Sequence, residues 1–235
     1  MNKETYHPAP ETLHILRQAA QFFGTNPAYM VGGSVRDVLL HVPCTDWDIV
    51  TVGDTPRLAR QLAHILGGHY AHMNDKACRI TIKQNQQEVL LDISPLRGTT
   101  IEEDLRLRDF TINAIAIPLT EAVASLTHET ALPLLDPLHG HADLLNRCLR
   151  AVDDATFRQD PLRMLRAVRF MQRYQLTIEP HTAWMLTRHA SLLTHAAPER
   201  IHDELQAILH PPGGTARLRF LDDHDLLTTL IPEFI

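Results

Sequence analysis

The stretch from Tyr29 to Thr51 constrains the fold more than any other part of the chain. Tyr29-Met30-Val31 is a short apolar run that stops at Gly32-Gly33. Paired glycines let the backbone turn sharply and lie close against a ligand. Ser34 then stands as a candidate N-cap, with Asp37 three residues on in capping-box spacing. A helix that opens behind such a turn presents free N–H groups, the local chemistry of an anion site. The run Asp46-Trp47-Asp48-Ile49-Val50-Thr51 reads as a second strand. Side chains on a strand repeat every two residues, so Asp46 and Asp48 share a face.

Two carboxylates held side by side repel unless something neutralises them. A divalent cation does so, and Mg²⁺ takes carboxylate oxygens together with phosphate oxygens. Each half has a plainer explanation: Gly-Gly before a helix can be only a turn, and Asp-x-Asp can mark a solvated strand edge. Their combination across one short helix is far more specific. Downstream, Gly53-Asp54-Thr55-Pro56 opens a helix that runs to about Leu66 and closes at Gly67-Gly68. Residues 69–73, 78–83 and 88–93 then read as short strands, with Asn85-Gln86-Gln87 as a turn. Alternation puts Glu88, Leu90 and Asp92 on one face of the last strand and Val89, Leu91 and Ile93 on the other. An acid in that setting is costly without a partner or a task; a strand-end Asp bonding a loop is the simpler account. Thr100-x-x-Glu103 forms a capping box for the next helix, which is expected to carry Asp109 and Asn113 on one face.

Gly32-Gly33-Ser34-Val35-Arg36-Asp37 followed by Asp46-Trp47-Asp48 resembles the head of the class II (bacterial-type) CCA-adding tRNA nucleotidyltransferases and bacterial poly(A) polymerases, which are DNA polymerase β-like nucleotidyltransferases. Arg108-Asp109-Phe110-Thr111-Ile112-Asn113-Ala114 is similar to that family's Arg-Arg-Asp-Phe-Thr-x-Asn-Ala motif, with Leu107 in place of the first Arg. Asp136-Pro137-x-x-Gly140 with Asp143-Leu144 resembles its hinge. Asp160-Pro161-Leu162-Arg163 resembles its base-reading Glu-Asp-x-x-Arg helix, with Gln159 standing for Glu. Pro198-Glu199-Arg200-Ile201 with Glu204-Leu205 resembles the next neck motif. Eleven residues separate Asp92 from Asp104, where CCA-adding members carry a longer loop.

The resemblance implies an α+β head with a small mixed sheet, residues 1–140, followed by an all-α neck and start of the body, residues 141–235, in a chain expected to lack the family's C-terminal helical body and tail. It implies a template-independent RNA nucleotidyltransferase that adds C and/or A from CTP and ATP to the 3′ end of tRNA, of the CCA- or CC-adding type, with two Mg²⁺ ions held by Asp46 and Asp48 and with Asp92 completing the catalytic acids. Gly32, Gly33, Ser34, Arg36 and Arg108 would meet the phosphates. Asp109 and Asn113 would meet the ribose, and Asp160 and Arg163 the base. A poly(A) polymerase would share nearly all of this. So would a non-catalytic RNA- or nucleotide-binding remnant, which has less need of three clustered acids.

Charge bears on the RNA. The chain is acidic, with a formal net charge of −6, so RNA contact must come from a local stripe. Arg163, Arg166, Arg169 and Arg173 recur at helical spacing and are the candidate for it; the alternative is a solvated or acid-paired face. Cys44, Cys78 and Cys148 are far apart, which suggests free thiols in the cytoplasm. No apolar run is long enough to span a membrane.

Overall fold

The structure, a computed structural model, describes residues 8–73, 77–84, 87–210 and 214–232. Asn85 and Gln86 of the expected turn lie outside these residues. The described chain forms two compact units: one runs to Arg106 and resumes over Asn113–His141, and the other takes Leu107–Ile112 and everything from Ala142.

The first unit begins with α1 (Pro10–Phe23), β1 (Ala28–Val31), α2 (Gly32–Leu39) and β2 (Asp46–Thr51). It continues through α3 (Thr55–Leu66), β3 (His69–His72), β4 (Cys78–Gln84), β5 (Gln87–Pro95) and α4 (Ile101–Arg106), and ends with β6 (Ala116–Pro118) and α5 (Leu119–His128). Six strands make one mixed sheet in the order β3-β4-β5-β2-β1-β6. Within this sheet, among the described residues, only the β2–β5 pair is parallel.

Alternation explains why this sheet holds. Trp47 and Ile49 on β2 pair with Leu91 and Ile93 on β5, and those with Ile80 and Cys78 on β4; all six are fully buried. α3 packs on β3, β4 and β5, α5 packs on β1 and β6, and α1 lies against both α3 and α5. α3 starts where the sequence places it, with the Asp54 carboxylate accepting the Arg57 N–H at 3.2 Å. It ends at Gly67, whose φ of +62° is the left-handed cap that glycine takes most readily. The opposite face of the sheet carries the acids.

Two local expectations are corrected. α2 begins at Gly32 behind Val31, so Ser34 lies in its first turn and is not its cap. The Ser34 hydroxyl instead donates to Val31 O (3.1 Å) and accepts from the Asp48 N–H (2.7 Å), tying the helix start to β2. The helix opened at Thr100 stops at Arg106, and Thr111–Asn113 is a single 3₁₀ turn, so Asp109 and Asn113 do not share a helix face. The backbone there has other partners: Thr111 N–H donates to Arg150 O and Val152 N–H to Asp109 O, an antiparallel bridge of Phe110 with Ala151. Backbone groups bonded to a neighbouring strand cannot also continue a helix.

The second unit is mainly helical: α6 (Gly140–Leu145), β7 (Cys148–Leu149), α7 (Thr156–Gln159), α8 (Arg163–Arg173), β8 (Thr177–Ile178), α9 (Pro180–His189), α10 (Pro198–Leu209), α11 (Gly214–Asp223) and α12 (Leu226–Leu230). Phe110 is fully buried there, edge-on to Phe170 of α8 with ring centroids 5.7 Å apart. Among the described residues no helix is long and apolar enough to cross a membrane.

Candidate active site

The first unit gathers one group of the expected site residues at the junction of β1, α2 and β2. Gly32 has φ +64° and its N–H donates to Ile115 O at 3.3 Å. A side chain there would be strained, because the left-handed region suits glycine. Gly33 is needed for a different reason: a Cβ on it would sit 3.2 Å from Asp48 Oδ2 and 3.4 Å from Arg36 Nη2. The bare glycine thus leaves space between a carboxylate and a guanidinium, the kind of cradle a phosphate and its cation occupy. Arg36 is buried and held on two sides, donating from Nε to Asp37 Oδ1 at 2.8 Å and from Nη1 to Asn113 Oδ1 at 2.6 Å. Asp37 is therefore the partner of Arg36 and not half of a capping box.

If this cradle takes a nucleotide's phosphates, as the resemblance implies, Gly33→Ala is expected to fold normally and to lower kcat/KM for that nucleotide about ten- to hundredfold, since sub-ångström crowding of reacting groups is costly. Steady-state kinetics beside a thermal melt will check this. An unchanged kcat/KM would mean that the space beside Asp48 is not used.

Asp46 is exposed and Asp48 half-buried, and both project from the acidic face of β2. Asp92 is the register partner of Asp48 on β5, so a third acid lies beside the pair. Its carboxylate is engaged by Arg79 of β4, which donates from Nε at 2.7 Å and from Nη2 at 2.6 Å. Among the described residues no three His, Cys, Asp or Glu side chains converge as a metal site. A metal at Asp46 and Asp48 would therefore complete its shell from phosphate oxygens, as Mg²⁺ commonly does. The hard oxygen donors and the cradle at Gly33 fit such an ion. The acids are also felt at Cys44, whose thiol donates to Asp46 O at 3.2 Å. Burial, then the charges of Asp37, Asp48 and Asp46, push that thiol up to about 12, so it stays protonated.

The second unit holds the other expected residues. Asp109 accepts from Arg166 Nη2 at 2.8 Å and from the Phe110 N–H at 2.8 Å. Arg169 is paired with Glu204 at 2.7 Å, and Arg173 lies over the Tyr174 ring. Arg166 and Arg169 of the expected arginine stripe are thus acid-paired. Arg163 donates to Gln159 Oε1 (3.2 Å) and to the carbonyls of Leu107 (3.2 Å) and Arg108 (3.5 Å). Asp160 is extended and precedes the helix: α8 starts at Arg163 behind Leu162, so Asp160 and Arg163 do not sit on one helix face. The Asp160 carboxylate caps the intervening turn at Leu162 N–H and binds Arg200, both at 3.1 Å. Pro161 and the extended Asp160 before it delay the helix, since the residue ahead of a proline avoids helical angles.

Sequence reading did not single out Arg79. Its only signal is the alternation of β4, which becomes informative once the register with β5 is known.

The family model described as "Poly A polymerase head domain" matches residues 28–150, just over half of the chain. The chain belongs to the poly(A) polymerase head family. A second model of that superfamily, "Probable RNA and SrmB- binding site of polymerase A", matches residues 175–235. Among relatives of this poly(A) polymerase head protein, a CC-adding tRNA nucleotidyltransferase of Geobacter sulfurreducens is 39% identical over 185 residues, 79% of this chain and 41% of the relative. An A-adding tRNA nucleotidyltransferase of Halalkalibacterium halodurans is 33% identical over 213 residues, 83% of this chain and 48% of the relative. The Thermotoga maritima CCA-adding enzyme complexed with tRNA is structurally similar, with a TM-score of 0.83 at 31% identity over 96% of this chain and 53% of that one. The chain spans about half the length of the curated relatives it matches. Its fold is accordingly the α+β nucleotidyltransferase head followed by a helical region.

Proposed function

We propose that the protein transfers a nucleoside monophosphate from CTP or ATP to the 3′ end of an RNA, with tRNA as substrate, releasing pyrophosphate and using no template. One observation carries the reading: Asp48, two residues from Asp46 on the same face of β2 and with Asp92 in register beside it, borders the glycine cradle where α2 begins. The relatives' being tRNA nucleotidyltransferases supports the choice of tRNA, and the structurally similar CCA-adding enzymes complexed with ATP and with CTP support the nucleotides.

In this reading Asp46 and Asp48 hold Mg²⁺, and the bound metal supplies charge neutralisation for the triphosphate and a more acidic RNA 3′-hydroxyl. The backbone at Gly32 and Gly33, with Ser34 anchoring it to β2, takes the phosphates, and Arg36 adds positive charge there; Arg108 is a further candidate phosphate contact. Asp109 and Asn113 face the ribose, and Asp160 with Arg163 read the base. Arg166, Arg169 and Arg173 make the RNA-facing stripe to the extent that their acidic partners release them. The head would run to about residue 140 and the neck from 141, with 107–112 given over to the neck. The free thiols suit a cytoplasmic enzyme.

Poly(A) polymerase chemistry is the second reading, favoured by the description of the family model itself. Offering CTP, ATP, UTP or GTP singly with tRNA lacking its CCA end separates the two. The tRNA reading predicts that C or A is added a fixed number of times. Runs of A on any RNA end would favour the second, and no extension with any nucleotide would overturn both. The same assay tests the base reader. An ionised carboxylate only accepts and a guanidinium only donates hydrogen bonds, so cytosine and adenine suit Asp160 and Arg163 while uracil and guanine do not. Asp160→Ala is expected to lose about ten- to hundredfold of the discrimination between CTP and UTP, since a mismatched buried contact costs about 1–3 kcal/mol. Discrimination equal to wild type would leave Asp160 as a turn cap and partner of Arg200.

A further inference from the structure

The acidic face of the sheet has an ordered row across three strands. Asp48 of β2 is the register partner of Asp92 of β5, and Asp92 that of Arg79 of β4. Arg79 closes on Asp92 with both arms of its guanidinium, at 2.7 and 2.6 Å. The side chains are only partly exposed, 29% for Arg79 and 25% for Asp92, so water screens the pair incompletely. The guanidinium is held above its ordinary pKa chiefly by its hydrogen bonds to Asp92; partial burial opposes this, and the charges of Asp92, Asp46 and Asp48 add to it. The field of all three acids therefore reaches Arg79.

We propose that Arg79 is the resident counter-cation of this acidic row, a positioning residue that fixes Asp92 and sets how tightly divalent ions bind at Asp46 and Asp48. The proposal rests on the nucleotidyl-transfer reading in one respect: it takes those two acids to hold a metal.

The physical argument has two parts. A bidentate guanidinium occupies both oxygens of Asp92, so the carboxylate cannot swing onto an incoming ion while the fork stays closed. Asp92 then acts as a fixed negative charge beside the metal. Arg79 meanwhile cancels one of three like charges in a small region. Every charge it cancels reduces both the repulsion that the metal-free protein must bear and the attraction that draws a dication in. Arg79 thus trades metal affinity for a defined geometry. With it, the site tolerates low metal and keeps its acids in place. Without it, the site would hold the ion more tightly in a less ordered cluster.

Direct binding of Mn²⁺, read from the free-ion paramagnetic signal, tests this apart from activity. Arg79→Met is expected to bind Mn²⁺ about tenfold more tightly than wild type, with turnover about tenfold slower or worse. Its melting temperature should fall in chelator and recover more than that of wild type when Mg²⁺ is added. Arg79→Lys keeps the charge and loses the fork. It should bind Mn²⁺ within about twofold of wild type and still turn over slowly. Should Arg79→Met prove too unstable, the lysine variant carries the test through its unchanged affinity and reduced kcat. If wild type binds Mn²⁺ and Arg79→Met binds it equally or more weakly, or if Arg79→Lys has wild-type kcat, the counter-cation role is overturned while the metal reading stands. If none of the proteins binds Mn²⁺, the metal reading itself fails, and this inference with it.

Discussion

Asp48→Asn is expected to lower RNA extension about a thousandfold, equivalent to about 4 kcal/mol of lost transition-state stabilisation. The substitution keeps shape and removes charge where a divalent cation would be held. Its effect on stability should run the other way. Asp48 stands beside Asp92 in register and two residues from Asp46 on the same face, so neutralising it relieves like-charge repulsion. The link from Ser34 is to the Asp48 backbone N–H and survives the change. The melting temperature should be unchanged or slightly higher, and Asp46→Asn should behave in the same way. Extension assays over a range of Mg²⁺, with melts in chelator, will decide. A variant that extends RNA near the wild-type rate removes these acids from the chemistry.

Trp47→Ala is expected to cost about 3–5 kcal/mol, the usual range for emptying the site of a large buried aromatic. Trp47 has no exposed surface and sits between the two acids, with Leu91 as its register partner. Domains of this kind are stable by about 5–15 kcal/mol in all, so such a loss would leave the first unit close to unfolding at 37 °C. Trp47→Phe is a sharper comparison. The indole N–H is buried and meets no acceptor among the described residues. Phenylalanine keeps most of the apolar volume and discards that donor, so it should cost far less than alanine, about 1–2 kcal/mol. Urea unfolding of both variants measures the difference. Equal losses would mean that the indole ring itself, and not its apolar bulk, is required.

The two variants also mark how far the sequence could be read. Alternation alone separates Trp47 from Asp46 and Asp48, and Leu91 and Ile93 from Asp92, so both faces of the central strands were legible. The capped α3, the strands around 69–93 and the helical second region were legible for the same reason: each has a strong local period or cap. Register was not legible. That Asp92 meets Arg79, and that Arg36 meets Asn113 across 77 positions of sequence, depends on pairings that no local pattern encodes. Local rules also failed where a distant partner competed. Ser34 looks like a cap, yet its hydroxyl is taken by β2. Residues 107–112 look helical, yet their backbone bonds to 150–152. The arginine stripe looks basic, yet Asp109 and Glu204 occupy Arg166 and Arg169.

The excursion of residues 107–112 has a bearing on how the chain reaches this state. The second unit's segment around Phe110 is made before the rest of that unit, embedded in sequence that belongs to the first. During synthesis it leaves the ribosome some forty residues ahead of Ala151, and about sixty ahead of Phe170. Elongation at about 5–20 residues per second therefore leaves Phe110 without its final neighbours for several seconds. Strands β1–β5 precede it and can pair meanwhile, but the apolar Phe110 and Ile112 must wait for the later residues that bury them. Nascent chains arrested when the emerged portion ends between residues 115 and 150 should accordingly be more prone to chaperone capture and to cleavage at this segment than chains that have emerged past residue 175.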